Sequence, residues 1–372
     1  MSFEIEKAIE SVAAVAATHA VSVDGGHFPA ATLAAVRDAG LLGLVSATDV
    51  GGQGLGLPAA VQVVERLARE CSSTAMIVCM HYCGTAVIEQ LGPRDVREAI
   101  AAGNHLTTLA FSELGSRSHF WAPVSSAKLD GDSVRLTARK SWITSARHAN
   151  SYVWSSKPTS GTEASTLWLV PTTTTGLRVA DHGFDGIGLR GNDSSPVTAE
   201  DARIPVPARL GDDGGGFGIM MGTVLPWFNV LTASVSAGLM EAAVQKTAAH
   251  VGATKFEHAG TTIADLPTVR AYIARMRIAT DQTKALIADT LAAMGANRAD
   301  TMLRVLESKA AAGESAAQVT DLAMRVCGGA AFRKEVGVER VFRDSRAALV
   351  MGPTTDVLYD FIGKAVCGLP LF

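Results

Sequence analysis

The residue types most able to do chemistry are concentrated between Leu109 and Ser145. Phe111-Ser112-Glu113 places an aromatic ring, a hydroxyl and a carboxylate at the end of an apolar run containing Leu106, Leu109 and Ala110. Trp142-Ile143-Thr144-Ser145 places a large flat ring beside two hydroxyls. A flavin ring needs an apolar or aromatic wall, with hydroxyl or backbone donors along its polar edge. Between the two segments runs Gly115-Ser116-Arg117-Ser118-His119-Phe120-Trp121, a loop with a glycine hinge, a cation, a histidine and two aromatics. Ser, Trp and Thr are also ordinary strand residues. The stretch alone therefore leaves a cofactor wall and plain β-structure both open.

Three blocks of different periodicity must position these residues. From Ser2 to Gly103 the spacing is helical: Ile5, Ile9, Val12 and Ala16 share a face, and Phe28-Pro29 opens a second helix. Asp49 to Gly54 is a turn, because three glycines in four positions favour chain freedom over helix. Pro58 suits the first turn of a helix to Arg69, and Ser72-Ser73-Thr74 caps the next, which is apolar nearly all round. From Leu106 the period becomes two, with strands at 124–127, 134–138, 151–155 and 166–170, a hairpin turn at Asp130-Gly131-Asp132, and a proline-broken edge segment over 196–210. The run GDDGGGFG at 211–218 reads as irregular and closes this block. Long helices follow over 217–252, 266–295, 299–327 and 355–366, with Pro226 expected to kink or start the first. The expected fold is thus α+β and multidomain. It has an N-terminal helical domain (1–105), a central β-barrel-like or sandwich domain (106–212) and a C-terminal four-helix bundle (213–372).

Bulk properties narrow the function classes. The 33 basic and 36 acidic residues are spread without blocks, so neither nucleic acid nor a membrane surface is an expected partner. No apolar run reaches bilayer length by eye, and the acidic N-terminus reads as neither signal nor transit peptide. The five cysteines fit no metal spacing; Cys79 and Cys83, one helical turn apart around His81, are expected to be buried thiols. A reducing, cytoplasmic setting follows as an expectation. The apolar tail from Cys367 to Phe372 is expected to be buried, at a subunit contact.

The motifs resemble the acyl-CoA dehydrogenase superfamily over nearly the whole chain. FSELGSRS is similar to the family's flavin-side T-E-P-x-x-G-S-D segment, and KSWITSA to its K-x-W-I-T segment. AGLLGLVSATDVGGQGLG, CGGAAF and VERVFRDSRA resemble further segments, in the family's order. The resemblance implies FAD, with FMN or a loosely held reduced flavin as variants. It assigns Phe111, Ser112, Trp142 and Thr144 to the flavin ring, and Ser118 to the region of the cofactor pyrophosphate and bound thioester. It sets Gly328-Gly329 against a neighbouring subunit's cofactor, with Arg325 where the family has Gln, and it brings Thr354 and Asp356 to the cofactor side. The family's Arg-x-x-Phe clamp reads Ala253-Thr254-Lys255-Phe256, so its Arg is absent. A homodimer or homotetramer and an electron-transfer or flavin-reductase partner are implied.

The sharpest departure is at the base. Desaturating an acyl thioester requires a carboxylate to take the α-proton. The family's two positions for that Glu fall on Gly352 and Phe228. Either the base has moved, with His119 and Glu113 as candidates, or the reaction differs. A flavin monooxygenase using reduced flavin and O2 needs no such Glu, and a non-catalytic flavin binder is a third reading. The substrate is accordingly expected to be an acyl thioester, on coenzyme A or a carrier protein, or another small molecule.

Overall fold

The computed structural model describes residues 3–116 and 119–371. The N-terminal block is helical throughout: α1 (Ile5–Asp24), α2 (Ala30–Asp38), α3 (Gly56–Glu70), α4 (Ser72–Leu91) and α5 (Arg94–Ala101). The glycine turn before α3 has Gly51, Gly54 and Gly56 at positive φ, a conformation that glycine adopts at little cost. α4 is buried on nearly all faces, which its continuous apolar sequence requires. Ser72, Ser73 and Thr74 do not cap it as expected. They lie inside its first turn, and the Ser72 hydroxyl donates instead to Asp344 in the C-terminal domain.

The central block is a two-sheet sandwich. β1 (Thr107–Ala110), β4 (Ser151–Ser156), β5 (Thr166–Pro171) and β8 (Arg209–Leu210) form one sheet in the order β1-β4-β5-β8, with β1 parallel to β4. β2 (Ser126–Asp130), β3 (Ser133–Ile143), β7 (Ser195–Pro205) and β6 (Leu177–Val179) form the other, in the order β2-β3-β7-β6. Leu136, Tyr152, Trp154, Trp168 and Val197 fill the space between them. β7 is a central strand, not an edge. Its prolines, Pro196 and Pro205, lie near its ends and leave the hydrogen-bonding interior free.

The C-terminal block starts inside the glycine run, earlier than its composition predicts. α6 (Gly216–Ile219), a π-helical turn at Met220–Val224 and α7 (Leu225–Ala253) form one continuous helix. The π turn immediately precedes Pro226, so a residue that cannot donate its backbone N–H is accommodated where the helical bonding already changes register. By length and composition this helix is apolar enough to cross a bilayer, which residue-by-residue reading missed; in the fold it is largely buried among α3, α4, α8 and α9. A short hairpin, β9 (Lys255–Phe256) and β10 (Thr261–Thr262), leads to α8 (Pro267–Gly295), α9 (Thr301–Cys327), α10 (Val338–Ser345), α11 (Ala347–Val350) and α12 (Thr355–Val366). The apolar tail is not buried within the chain: residues 365–370 are exposed. A charge network joins the helical domains. Glu241 of α7 accepts from Arg277 and Lys284 of α8, and Lys284 also reaches Glu65 of α3 at 3.0 Å.

Candidate active site

The two chemistry-bearing segments are neighbours in space. Residues 112–114 run antiparallel to the end of β3: Ser141 N–H donates to Ser112 O at 2.9 Å, Leu114 N–H donates to Arg139 O at 3.1 Å, and Glu113 bridges Lys140. The side chains of that bridge form a buried ion pair, with Lys140 Nζ 2.6 Å from Glu113 Oε1. Glu113 Oε2 accepts the amides of Val124 and Ser125, and Oε1 also accepts the Ser125 hydroxyl. Lys140 donates further to the carbonyl and hydroxyl of Ser155. Burial opposes the Glu113 charge, but Lys140 and the surrounding donors outweigh it and hold the carboxyl below its ordinary value. Burial pulls Lys140 down to about 8 despite Glu113. With both oxygens committed and the side chain shut off from solvent, Glu113 is built as a structural anchor and not as an open proton acceptor.

Just beyond this anchor the strand breaks register. A bulge between Lys140 and Ile143 puts Trp142 at φ 58°, and Ser145 follows at φ 56°. Positive φ is uncommon for such side chains. It turns the Trp142 ring outward, 60% exposed, to stack on Phe184 with ring centroids 3.9 Å apart. Thr144 and Ser145 are buried behind it, and the Ser145 amide donates to Asn192 O at 2.9 Å. The hydroxyls of Ser145 and Ser116 are buried with no hydrogen-bond partner among the described residues. The buried orphan hydroxyl of Ser145 close behind an outward-turned aromatic ring fits a flat group with a polar edge.

Phe111 is buried and stacks on Phe120 at 6.2 Å. His119 is exposed, with its ring 5.1 Å from that of Trp121. Trp121 packs on Phe361 of α12 at 5.7 Å, which brings the C-terminal domain against this loop. Ser118 lies outside the described residues. At the start of α12, Thr354 Oγ1 accepts the Val357 amide at 3.4 Å, Asp356 is exposed in the first turn, and the Thr355 hydroxyl is buried with no partner among the described residues. Gly352 and Phe228 are half-buried.

The remaining candidates sit elsewhere, at the end of α9. Arg325 lies over the Tyr272 ring at 5.1 Å, and Gly328 and Gly329 follow, exposed. Gly328 has φ 55° and ψ −137°, which only glycine adopts readily. A Cβ added at Gly329 meets nothing within 4 Å in this chain, so nothing inside the chain demands glycine there. Ala253 stands at the absent Arg's position, and Lys255, two residues on, is exposed.

Sequence reading missed Lys140 as part of the site, although its signal is present. Val134, Leu136 and Ala138 are the inward residues of β3, and Lys140 falls on the same parity. Phe184 carried no such signal. Among the described residues no cluster of His, Cys, Asp or Glu is arranged to hold a metal, and Cys71, Cys79, Cys83 and Cys327 are buried free thiols, with Cys367 exposed.

Comparison with known proteins agrees across the three blocks. Models of the acyl-CoA dehydrogenase N-terminal, middle and C-terminal domains match residues 5–103, 108–202 and 214–367. The mitochondrial short-chain specific acyl-CoA dehydrogenase of Bos taurus is 29% identical, over 91% of this chain and 83% of its own. Cyclohex-1-ene-1-carbonyl-CoA dehydrogenase of Syntrophus aciditrophicus is 26% identical, over 94% and 86%. In fold, butyryl-CoA dehydrogenase from Megasphaera elsdenii superposes with a TM-score of 0.89 at 19% identity, covering 98% of both chains. The prolyl acyl carrier protein oxidase AnaB does so with 0.87 at 18%, also covering 98% of both. Matched in order through all three domains, the chain belongs to the acyl-CoA dehydrogenase family, whose members are flavin-dependent oxidoreductases.

Proposed function

We propose that this protein is an FAD-dependent oxidoreductase that oxidises an acyl thioester at its CH–CH bond, with no carboxylate at either of the family's base positions. The observation that carries the reading is the bridge between the two flavin-side segments, which brings Ser112 close to the Trp142-Thr144-Ser145 segment, where the buried Ser145 hydroxyl is left to be paired. Several relatives are named for acyl-CoA substrates and one structural neighbour for an acyl carrier protein, which supports a thioester on either carrier.

When bound, the flavin supplies the two-electron acceptor. The chain's own residues would hold and orient it: Trp142 would wall the ring, Thr144 and the Ser112 segment would offer donors, and Gly328-Gly329 of a second copy would lie toward its far half. Arg325 or Lys255 replaces the missing Arg as the phosphate partner. A weaker grip on that half also suits FMN or a loosely held reduced flavin. Exposed Phe332, Val350, Val366 and Leu369 on the C-terminal domain support an even-numbered homo-oligomer, a dimer or tetramer. Electrons leave through an electron-transfer partner. The five free cysteines support a reducing compartment such as the cytoplasm.

Glu113 is not retained as a base, because the ion pair consumes it. His119, exposed beside Trp121, is the remaining candidate. Absence of the Glu at Gly352 and Phe228 favours a second reading, monooxygenation with reduced flavin and O2. Anaerobic addition of acyl thioesters to the flavin-loaded protein separates the two. Bleaching of the flavin band supports dehydrogenation. No bleaching, with oxygen uptake only when a flavin reductase and NAD(P)H are supplied, overturns it in favour of monooxygenation.

A further inference from the structure

We propose that Lys309 is a positioning residue: its buried ammonium holds the two peptide carbonyls flanking Gly352, and so fixes the backbone segment that stands where relatives carry the catalytic carboxylate. The inference rests on the function proposed above only for its effect on turnover.

Lys309 lies mid-way along α9 and is 2% exposed. Its Nζ donates to Pro353 O at 2.6 Å and to Met351 O at 3.0 Å, and it reaches Ala348 O at 3.5 Å. An ammonium has three N–H donors, and here they face three carbonyls of one short segment, running from α11 into the turn before α12. Gly352 lies between the two closest acceptors and has no side chain with which to anchor itself. The segment's shape is therefore set from behind, by α9.

Among the described residues no acid offsets this charge, and burial accounts for the depression of Lys309 to about 7. The acidic groups on the packed helices are paired elsewhere or make no recorded contact with Lys309. Glu241 of α7 binds Arg277 and Lys284. On α8, Asp281 binds Arg277 and Asp289 binds Arg298. On α9 itself, Glu307 binds Arg304, while Glu314 acts on Tyr359 and Asp321 on Arg346. On α10, Glu339 binds Arg343 and Asp344 accepts from Ser72 and from the Leu189 amide. On α12, Asp360 binds Lys364 and Asp356 is exposed; α11 carries no charged side chain.

A neutral amine has only two N–H donors. Loss of the proton in the neutral range therefore strips one of the three carbonyls of its partner, and the segment around Gly352 loosens as pH rises.

The test is hydrogen–deuterium exchange of the 347–357 region in the flavin-loaded protein from pH 6 to 9, corrected for intrinsic chemical exchange, alongside turnover of an acyl thioester. In the wild type, protection falls about tenfold through neutrality, as expected for one lost hydrogen bond, and turnover falls with it. In Lys309→Met, protection is low and flat with pH; in Lys309→Arg, which keeps its charge, it is flat and higher. If Lys309→Met does not fold, the wild-type profile decides alone, and a flat profile overturns the clamp. Unchanged turnover in a variant whose 347–357 region has lost protection overturns the positioning role. Failure of every thioester with the wild type rejects the proposed function instead, while the exchange measurement still decides the clamp.

Discussion

Lys140 Nζ lies 2.6 Å from Glu113 Oε1, and neither side chain reaches solvent. The pair closes the gap between two segments that are 27 residues apart in sequence. It anchors one end of the candidate flavin wall one residue after Ser112 and the other two residues before Trp142. Removing one partner leaves a buried charge uncompensated, which costs about 3–5 kcal/mol. Lys140→Met is therefore expected to be strongly destabilised in urea unfolding. The double variant Glu113→Gln with Lys140→Met, which buries no charge, is expected to recover most of that loss. Equal stability of the single and double variants would count against a coupled pair.

A second stability prediction concerns pH. His81 is fully buried in α4 and links three segments. The Thr107 amide donates to Nδ1 at 3.2 Å, so Nε2 carries the proton and donates to Leu42 O at 3.0 Å. Burial pulls its pKa from 6.5 down to about 4. The folded state therefore keeps His81 neutral over a range where the unfolded chain binds a proton. Its stabilisation is complete above pH 6.5 and is lost as pH falls toward 4, to a total of about 3 kcal/mol. His105, lowered mainly by burial as well, adds in the same direction. Denaturant midpoints measured from pH 7.5 to 4 should fall, and His81→Gln should flatten most of that slope.

The order of the helical and β blocks, the hairpin at Gly131 and the family were legible because local signals carry them: period, turn residues and motif order. What was not legible depends on contacts between distant strands and helices. Pro196 and Pro205 suggested an edge strand, but only the ladder shows that they bracket β7 and leave its interior free to pair on both sides. Glu113 looked like a candidate base because it stands next to Ser112. Its commitment to Lys140 depends on the pairing of segments 112–114 and 139–141, which no local pattern encodes. The outward turn of Trp142 depends on a bulge in β3, and bulges are set by the partner strand. Lys309 was hidden differently. A lysine in ESKAAAG looks like a solvated helix position until α11 and the turn before α12 fold over it.

Gly329 offers a test of assembly. A Cβ added there meets nothing within 4 Å among the described residues and the position is exposed, so Gly329→Leu should change the stability of an isolated subunit by no more than about 0.5 kcal/mol. If a second copy approaches this turn, the same variant should lower the oligomer mass in light scattering and speed flavin loss on dilution. Wild-type mass and flavin retention would remove Gly329 from any subunit contact.

The flavin wall can be tested without turnover. Ser112→Ala combined with Trp142→Ala should weaken FAD binding, read by fluorescence quenching, by on the order of 1 kcal/mol for each hydrogen bond lost and more where a buried flavin atom is left unpaired. Trp142 is 60% exposed and, among the described residues, stacks on Phe184, so its removal should leave the melting temperature of the flavin-free protein nearly unchanged. A double variant that holds FAD as tightly as the wild type would place the ring elsewhere.

The last prediction concerns the absent base. Gly352 lies in the segment held by Lys309, and Phe228 lies on α7 just after its π turn; both are half-buried and neither carries an acid. General-base catalysis contributes typically ~10²–10⁴-fold. If the site admits an acyl thioester in the pose the family uses, Gly352→Glu should accelerate anaerobic flavin bleaching by a factor within that range. His119→Ala is the complementary variant. If His119 has taken over proton removal, the substitution should abolish bleaching in the wild-type background but not in Gly352→Glu. Should Gly352→Glu fold, bind FAD and still show no thioester-dependent bleaching, the thioester does not reach the segment around Gly352. Oxygen uptake with supplied reduced flavin then becomes the reaction to measure.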